Sequence, residues 1–324
     1  MPRVSCLEVP TPFRVGAINA YLIEADRLTL VDTGPNTSDA LAGLELAVAN
    51  AGRRLDDVDL VLVTHQHYDH AGLAASVRRR SGAELATSHL LAEFLADVPA
   101  AMDADDAFAQ AVMAAHGVDP AVSQALREAS RARQRYGASV EVDRRLADGE
   151  AVDLGGTTLR VCYRPGHSPT DTVFVDEAAG RGFVGDHLIA HISSNPILHL
   201  AVGSDPDPRR PPHRLSEYLE SLRATAALGL SEALAGHGKP IGEPGALVAR
   251  RIGRHGERKE RIHRELAGGP PRPAAALIDA LWPSLAADQT YLALSEILGH
   301  VALLIEEGRA AYVDDGEAVL VEAL

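Results

Sequence analysis

The chain has 324 residues, 46% hydrophobic and 23% charged, which is enough for a full core and too ordinary for disorder, collagen or a coiled coil. Lysine and arginine number 31 against 45 aspartate and glutamate, a net charge of −14 that argues against a broad surface for nucleic acid or anionic membrane. Two cysteines, Cys6 and Cys162, are too few for a disulfide framework. With no apolar leader at the N-terminus and no run of about 18 apolar residues, they predict a cytoplasmic protein with no membrane partner.

Residues 20–34 read as two β-rich runs joined by a polar turn, a hairpin. From 38 to 50 apolar residues fall at helical spacing behind Thr37 and Ser38 as caps, and Gly52 closes the helix. Leu60-Val61-Leu62-Val63 is apolar on both faces, as a strand inside a covered sheet is. A helix over 71–80, a strand over 84–87 and a helix after Ser88 continue an alternation that indicates an α/β layer. Residues 98–137 are helical throughout and Ala-rich, an insertion that suits a lid, a dimer surface or padding equally. Short strands at 140–142, 151–154, 157–162, 172–175 and 182–184 predict a second sheet. The proline-rich 204–212 is a surface loop, followed by a helix over 215–228. Helices at 250–265, 274–281 and 292–307, then a hairpin over 311–321 around an Asp-Gly turn, suggest a small winged-helix-like tail. The expected division is a main domain over 1–245 and a helical, winged-helix-like region over 246–324.

The strongest local signal is Thr64-His65-Gln66-His67-Tyr68-Asp69-His70, directly after the buried strand. Neutral imidazole binds zinc and related metals well, and carboxylate oxygen joins it. Four such groups from one turn cannot all serve one ion. Alternation points His65 and His67 one way and leaves Asp69 and His70 for a neighbouring ion. Further donors stand in strand-end loops: His167 in Pro165-Gly166-His167-Ser168, Asp186 in Val184-Gly185-Asp186-His187, and His237 between Gly236 and Gly238.

In Leu30-Val31-Asp32-Thr33-Gly34, the His65–His70 cluster, Gly166-His167-Ser168, Gly185-Asp186 and Gly236-His237-Gly238, taken in that order, the chain resembles the metallo-β-lactamase superfamily of hydrolases, in its glyoxalase II-like and lactonase-like branch. The resemblance implies an αββα sandwich with metals at one edge. It implies that His65, His67 and His167 bind a first ion and Asp69, His70 and His237 a second, that Asp186 bridges them, and that Asp32 supports the site without ligating. Two divalent ions, zinc first with iron or manganese also compatible, would supply a bridging hydroxide at neutral pH. Asp69 would act as general acid and base. The expected reaction is hydrolysis of an ester-like bond in a small molecule, thioesters ahead of lactones. The tail departs from that of glyoxalase II, so the glutathione thioester is disfavoured against an acyl-CoA or acyl-carrier thioester.

A phosphodiesterase or ribonuclease of the same fold is the alternative, opposed by the net charge and the scarcity of aromatics. An iron-dependent redox relative is a weaker one. His187 and His191, after Asp186, are candidates for lining the substrate pocket. His89, His116, His199, His213, His255, His263 and His300 read as surface or packing residues, and Cys162 as a small buried hydrophobe. The basic run at 250–259 is interleaved with glutamate, which makes a solvated helix the better reading than a nucleic-acid contact. A homodimer is compatible with the sequence.

Overall fold

The computed structural model describes residues 1–314 and 316–324. Strands β1 (Arg3–Val9), β2 (Ile18–Glu24) and β3 (Leu28–Val31) form an antiparallel meander. To its edge β4 (Leu60–Leu62), β5 (Glu84–Ser88) and β6 (Arg144–Leu146) add in parallel, so the six-stranded sheet runs in sequence order. The second sheet is built from β7 (Ala151–Asp153), β8 (Thr158–Tyr163), β9 (Thr172–Asp176), β10 (Arg181–Gly185) and β11 (Glu232–Ala235). Its order is β11-β10-β9-β8-β7, antiparallel except for the β10/β11 pair.

The two-residue period of a strand explains the layering. Tyr21, Ile23, Leu60 and Leu62 point into the second sheet and meet Leu159, Val161, Phe174 and Phe183. Their neighbours Leu22, Leu30, Val61 and Val63 point the other way. There they pack on Leu44 and Val48 of α1 (Ser38–Asn50), past the single turn α2 (Tyr68–Ala71), and on Val77 of α3 (Ala74–Ser81) and Leu91 of α4 (His89–Ala96). The insertion forms α5 (Val98–Ala115) and α6 (Pro120–Arg133). Each begins with an aspartate cap, Asp97 or Asp119, and a proline in the first turn, the combination that satisfies free N–H groups at a helix start. On the far face of the second sheet Val173, Val175 and Val184 pack on Leu215, Tyr218 and Leu222 of α7 (Arg214–Ala226) and Val248 of α8 (Pro244–Ala267). The result is the expected αββα sandwich.

Beyond it lie α9 (Ala276–Leu281), α10 (Thr290–Glu306) and a small sheet of β12 (Arg272–Pro273), β13 (Ala310–Asp314) and β14 (Val319–Ala323), ordered β12-β14-β13. Phe108, Val112 and Met113 of α5 share one apolar cluster with Ile262 and Leu266 of α8 and Leu294, Ile297 and Val301 of α10. The insertion therefore stands on the C-terminal region. Among the described residues no helix is long and apolar enough to cross a membrane.

Several elements differ from expectation. Residues 140–142 are not in a sheet; Val140 N donates to Leu95 O as the chain leaves the insertion, and pairing begins at Arg144. Strands β1 and β11 are additional. Asp315, part of the expected Asp-Gly turn, lies outside the described residues.

Candidate metal centre

Donors gather where strands of both sheets end. Asp32 follows β3 in a left-handed backbone, φ 62°, a strained position for a residue with a side chain. Its carboxylate offsets that strain: it accepts from Thr64 N at 2.8 Å, from Thr64 Oγ1 at 2.9 Å and from His70 Nδ1 at 2.7 Å. The turn after β4 is held by Gln66 N donating to Thr170 Oγ1 and Thr172 N donating to Thr64 O. This brings the loop carrying His167 beside His65. Asp186 follows β10 directly, and His237 comes two residues after β11. A Cβ at Gly236 would lie 2.4 Å from Asp186 Oδ1 and 2.5 Å from His70 Cε1, so only glycine lets these groups close up. Asn19 N donates to Gly236 O at 2.7 Å and His237 Nδ1 donates to Ala17 O at 2.9 Å, fastening this loop to the first sheet.

All seven expected ligands meet. His67 Nδ1 lies 3.1 Å from His65 Nε2 and 3.1 Å from His167 Nε2, near the roughly 3.3 Å that separates nitrogens around a tetrahedral ion with bonds of about 2.0–2.1 Å. Asp69 Oδ2 lies 3.4 Å from His237 Nε2, and Asp186 Oδ1 lies 3.4 Å from His70 Nε2. Asp186 Oδ2 sits 3.6 Å from His237 Nε2 and 3.8 Å from His167 Nε2, between the two groups. His70 Nε2, His237 Nε2 and Asp186 Oδ1 are buried without a hydrogen-bond partner. Orphaned polar atoms of this kind are costly unless something else satisfies them, and a cation among them does so. The residues fit a metal centre.

Charge divides the cluster. Burial first, then the neighbouring imidazoles, push His65 and His67 well below the ordinary imidazole value, so both are neutral donors, as ligation requires. Burial also opposes charge on His70 and His237, but Asp186 with Asp32 and Asp69 outweighs it for His70, and Asp69 with Asp186 for His237. Burial would raise Asp186, yet His70, His237 and His167 together hold its carboxyl below the usual range.

A cavity of about 830 Å³ opens at the cluster. His67 and Asp69 lie in its floor; Phe94, Met102, Met113, Leu126, Ile197 and Leu292 form apolar walls; Arg14, Arg127, Arg133 and Arg135 stand around it. Much of that wall is the insertion. His187 does not line it, contrary to expectation: the ring is 1% exposed and its Nε2 bonds Thr225 Oγ1 at 2.9 Å, behind the centre. His191 is exposed beside Gly238 and is likewise absent from the walls. His199, expected to be a surface or packing residue, reaches the site instead, its Nε2 3.3 Å from His67 Nε2 and its Nδ1 2.9 Å from Asp105 Oδ2. Its loop position offered no spacing signal that could have found it.

Residues 13–237 match the Metallo-beta-lactamase superfamily. The probable metallo-hydrolase YqjP of Bacillus subtilis is 32% identical over 311 residues, covering 95% of this chain and 94% of that protein. The thioesterase pkgB of Emericella nidulans is 25% identical over 263 residues, 80% of this chain and 56% of that protein. The crystal structure of a beta-lactamase domain protein from Burkholderia ambifaria superposes with a TM-score of 0.83 at 27% identity, covering 100% of this chain and 93% of that one.

Proposed function

The chain belongs to the metallo-β-lactamase superfamily and is a metal-dependent hydrolase of that fold, and on that footing we propose that it uses two ions to cleave an ester-like bond in a small molecule, thioesters ahead of lactones. The observation that carries this reading is the opening of a seven-donor cluster onto a cavity with apolar walls and arginines around them. An acyl chain suits the walls. A relative named as a thioesterase supports the preference for thioesters.

In this reading His65, His67 and His167 would hold one ion and Asp69, His70 and His237 the other, with Asp186 shared between them; zinc fits the donors, as do iron and manganese. When bound, such ions polarise a carbonyl and bring the pKa of water toward neutrality. The protein's residues do the rest. Asp32 keeps His70 oriented through Nδ1. Asp69, on the cavity floor, takes a proton from the attacking water and returns it to the departing sulfur or oxygen, so that water and ester become acid and thiol or alcohol. The apolar walls exclude competing water from the acyl group. The two free thiols, Cys6 exposed and Cys162 buried, support a reducing, cytoplasmic setting. We read residues 246–324 as a winged-helix-like unit that braces the insertion.

The test is turnover of a panel of acyl-CoA thioesters, lactones and a phosphodiester by the purified protein, with and without a chelator, and with His67→Ala as control. Chelator-sensitive thioester or lactone cleavage that vanishes in the variant is the expected result. Cleavage of the phosphodiester alone would move the protein to the nuclease class.

A further inference from the structure

Every imidazole of the cluster has its second ring nitrogen held, and all five holders stand in the sandwich or in the loops next to it. His65 Nδ1 meets Thr64 Oγ1 at 3.0 Å, His70 Nδ1 meets Asp32, His167 Nδ1 meets Asn195 O at 3.2 Å, and His237 Nδ1 meets Ala17 O. His67 is different. It turns Nδ1 toward the cluster, so Nε2 points outward, and the group it finds is His199. His199 in turn is gripped by Asp105 of α5: one carboxylate oxygen accepts from His199 Nδ1 and the other from Leu200 N at 2.6 Å. Asp105 is 7% exposed, so the grip is shielded from water.

We propose that His199 and Asp105 are positioning residues for the first ion, a relay from the helical insertion that locks His67 in the one orientation that can ligate. The proposal rests on the ligand assignment above. If His67 ligates through Nδ1, its proton is on Nε2 and donates to His199 Nε2; His199 then carries its own proton on Nδ1 and donates it to Asp105. Each link fixes the tautomer of the next. Turning the His67 ring over would withdraw Nδ1 from His65 and His167 and Nε2 from His199 in the same motion. The insertion thus does more than wall the cavity: it completes a ligand.

The experiment measures metal, not turnover. Zinc affinity is determined by chelator competition for wild type, His199→Ala, His199→Gln, His199→Phe and Asp105→Ala, with cobalt absorption spectra as a second readout of ligand geometry and circular dichroism as a check on folding. Loss of such a supporting partner weakens metal affinity about 10- to 100-fold. We expect that loss for one of two ions in His199→Ala, His199→Phe and Asp105→Ala, with a changed cobalt spectrum. Gln carries an oxygen that can accept from His67 Nε2, so His199→Gln should recover most of the affinity. Phe fills the space without accepting and should not. Equal affinity for Gln and Phe, or variants within threefold of wild type, would overturn the relay. A wild-type protein that takes up no metal would instead overturn the metal-centre reading on which the relay rests.

Discussion

Two sets of buried histidines in this molecule share their chemistry and differ in their surroundings. At the candidate metal centre each imidazole has one nitrogen tied down and the other turned toward further donors, with Asp69 and Asp186 among them. In the C-terminal region His255 Nδ1 lies 3.3 Å from His300 Nε2, His300 Nδ1 donates to Glu296 O, and the His255 ring packs edge-on to Tyr218. His116 is buried against Tyr312. Burial, with Arg251 and Arg258 near His255, holds this second set near 3 or 4, His300 at about 3 and His255 and His116 at about 4. Burial alone therefore makes a neutral packing group. A ligand needs, in addition, a free nitrogen that converges with other donors on opposite charge.

The strongest way to break this distinction is to remove the charge on which the first set converges. Asp186→Asn should lower activity at least about 100-fold, beyond the usual cost of losing a supporting partner, and weaken both ions together, as read by chelator competition. If only one ion is weakened, Asp186 does not bridge. Asp32→Asn is milder. Asparagine tolerates the left-handed backbone, so the change tests the carboxylate that orients His70. Affinity for the second ion should fall about 10-fold while the first stays within threefold. Parallel loss of both would mean that Asp32 acts through the fold of the whole turn.

The C-terminal set makes the opposite prediction, about stability rather than metal. Its folded-state values lie below the 6.5 of a free imidazole, so between about pH 6.5 and 4 the unfolded chain binds more protons than the folded one. Stability is complete above that window and is lost as the pH falls through it. Between pH 7.5 and pH 5 the Tm of wild type should drop, and that of His300→Gln should drop about 2–4 °C less. Equal slopes would show that His300 does not titrate differently in the two states.

How far each set was legible in the sequence follows from what its role demands. The His65–His70 stretch was legible because ligation needs particular side chains a few residues apart. His167, Asp186 and His237, each a lone donor in a strand-end loop, were legible only in company, through the resemblance to the metallo-β-lactamase superfamily that takes them in order with the His65–His70 stretch. His187 misled: adjacency to Asp186 in the chain says nothing about which side of the loop faces the cavity, and the ring turned back toward Thr225. His199 was invisible because its role depends on Asp105, 94 residues earlier, and no local pattern encodes that pairing. The helix α1 came out at its expected place because Thr37 caps it, its hydroxyl accepting from Ala40 N; α4 also starts after Ser88 as expected, though the Ser88 side chain makes no capping hydrogen bond. Strand β11 escaped notice since Glu232–Ala235 is only four residues long and half alanine, a weak β signal until β10 pairs with it.

The smallest expected effect concerns the cavity beside the candidate metal centre, where the insertion presents arginine rather than histidine. Arg14 on the cavity pairs with Asp288 at 3.2 Å. Arg133 and Arg135 line the same cavity without meeting a carboxylate among the described residues; Arg135 instead lies over the Tyr136 ring at 4.8 Å. In a chain with net charge −14, two such cations beside an acyl-sized cavity suit a phosphate-bearing carrier arm, since guanidinium matches phosphate geometry. The contact is exposed and screened, so its worth is modest, about 1 kcal/mol or a fewfold in KM. The double variant Arg133→Ala/Arg135→Ala should raise KM for an acyl-CoA thioester about fivefold at low salt and leave kcat unchanged. The same acyl group on N-acetylcysteamine, which has no phosphate, should be hydrolysed as before. If both substrates lose equally, the arginines shape the cavity and do not read the carrier.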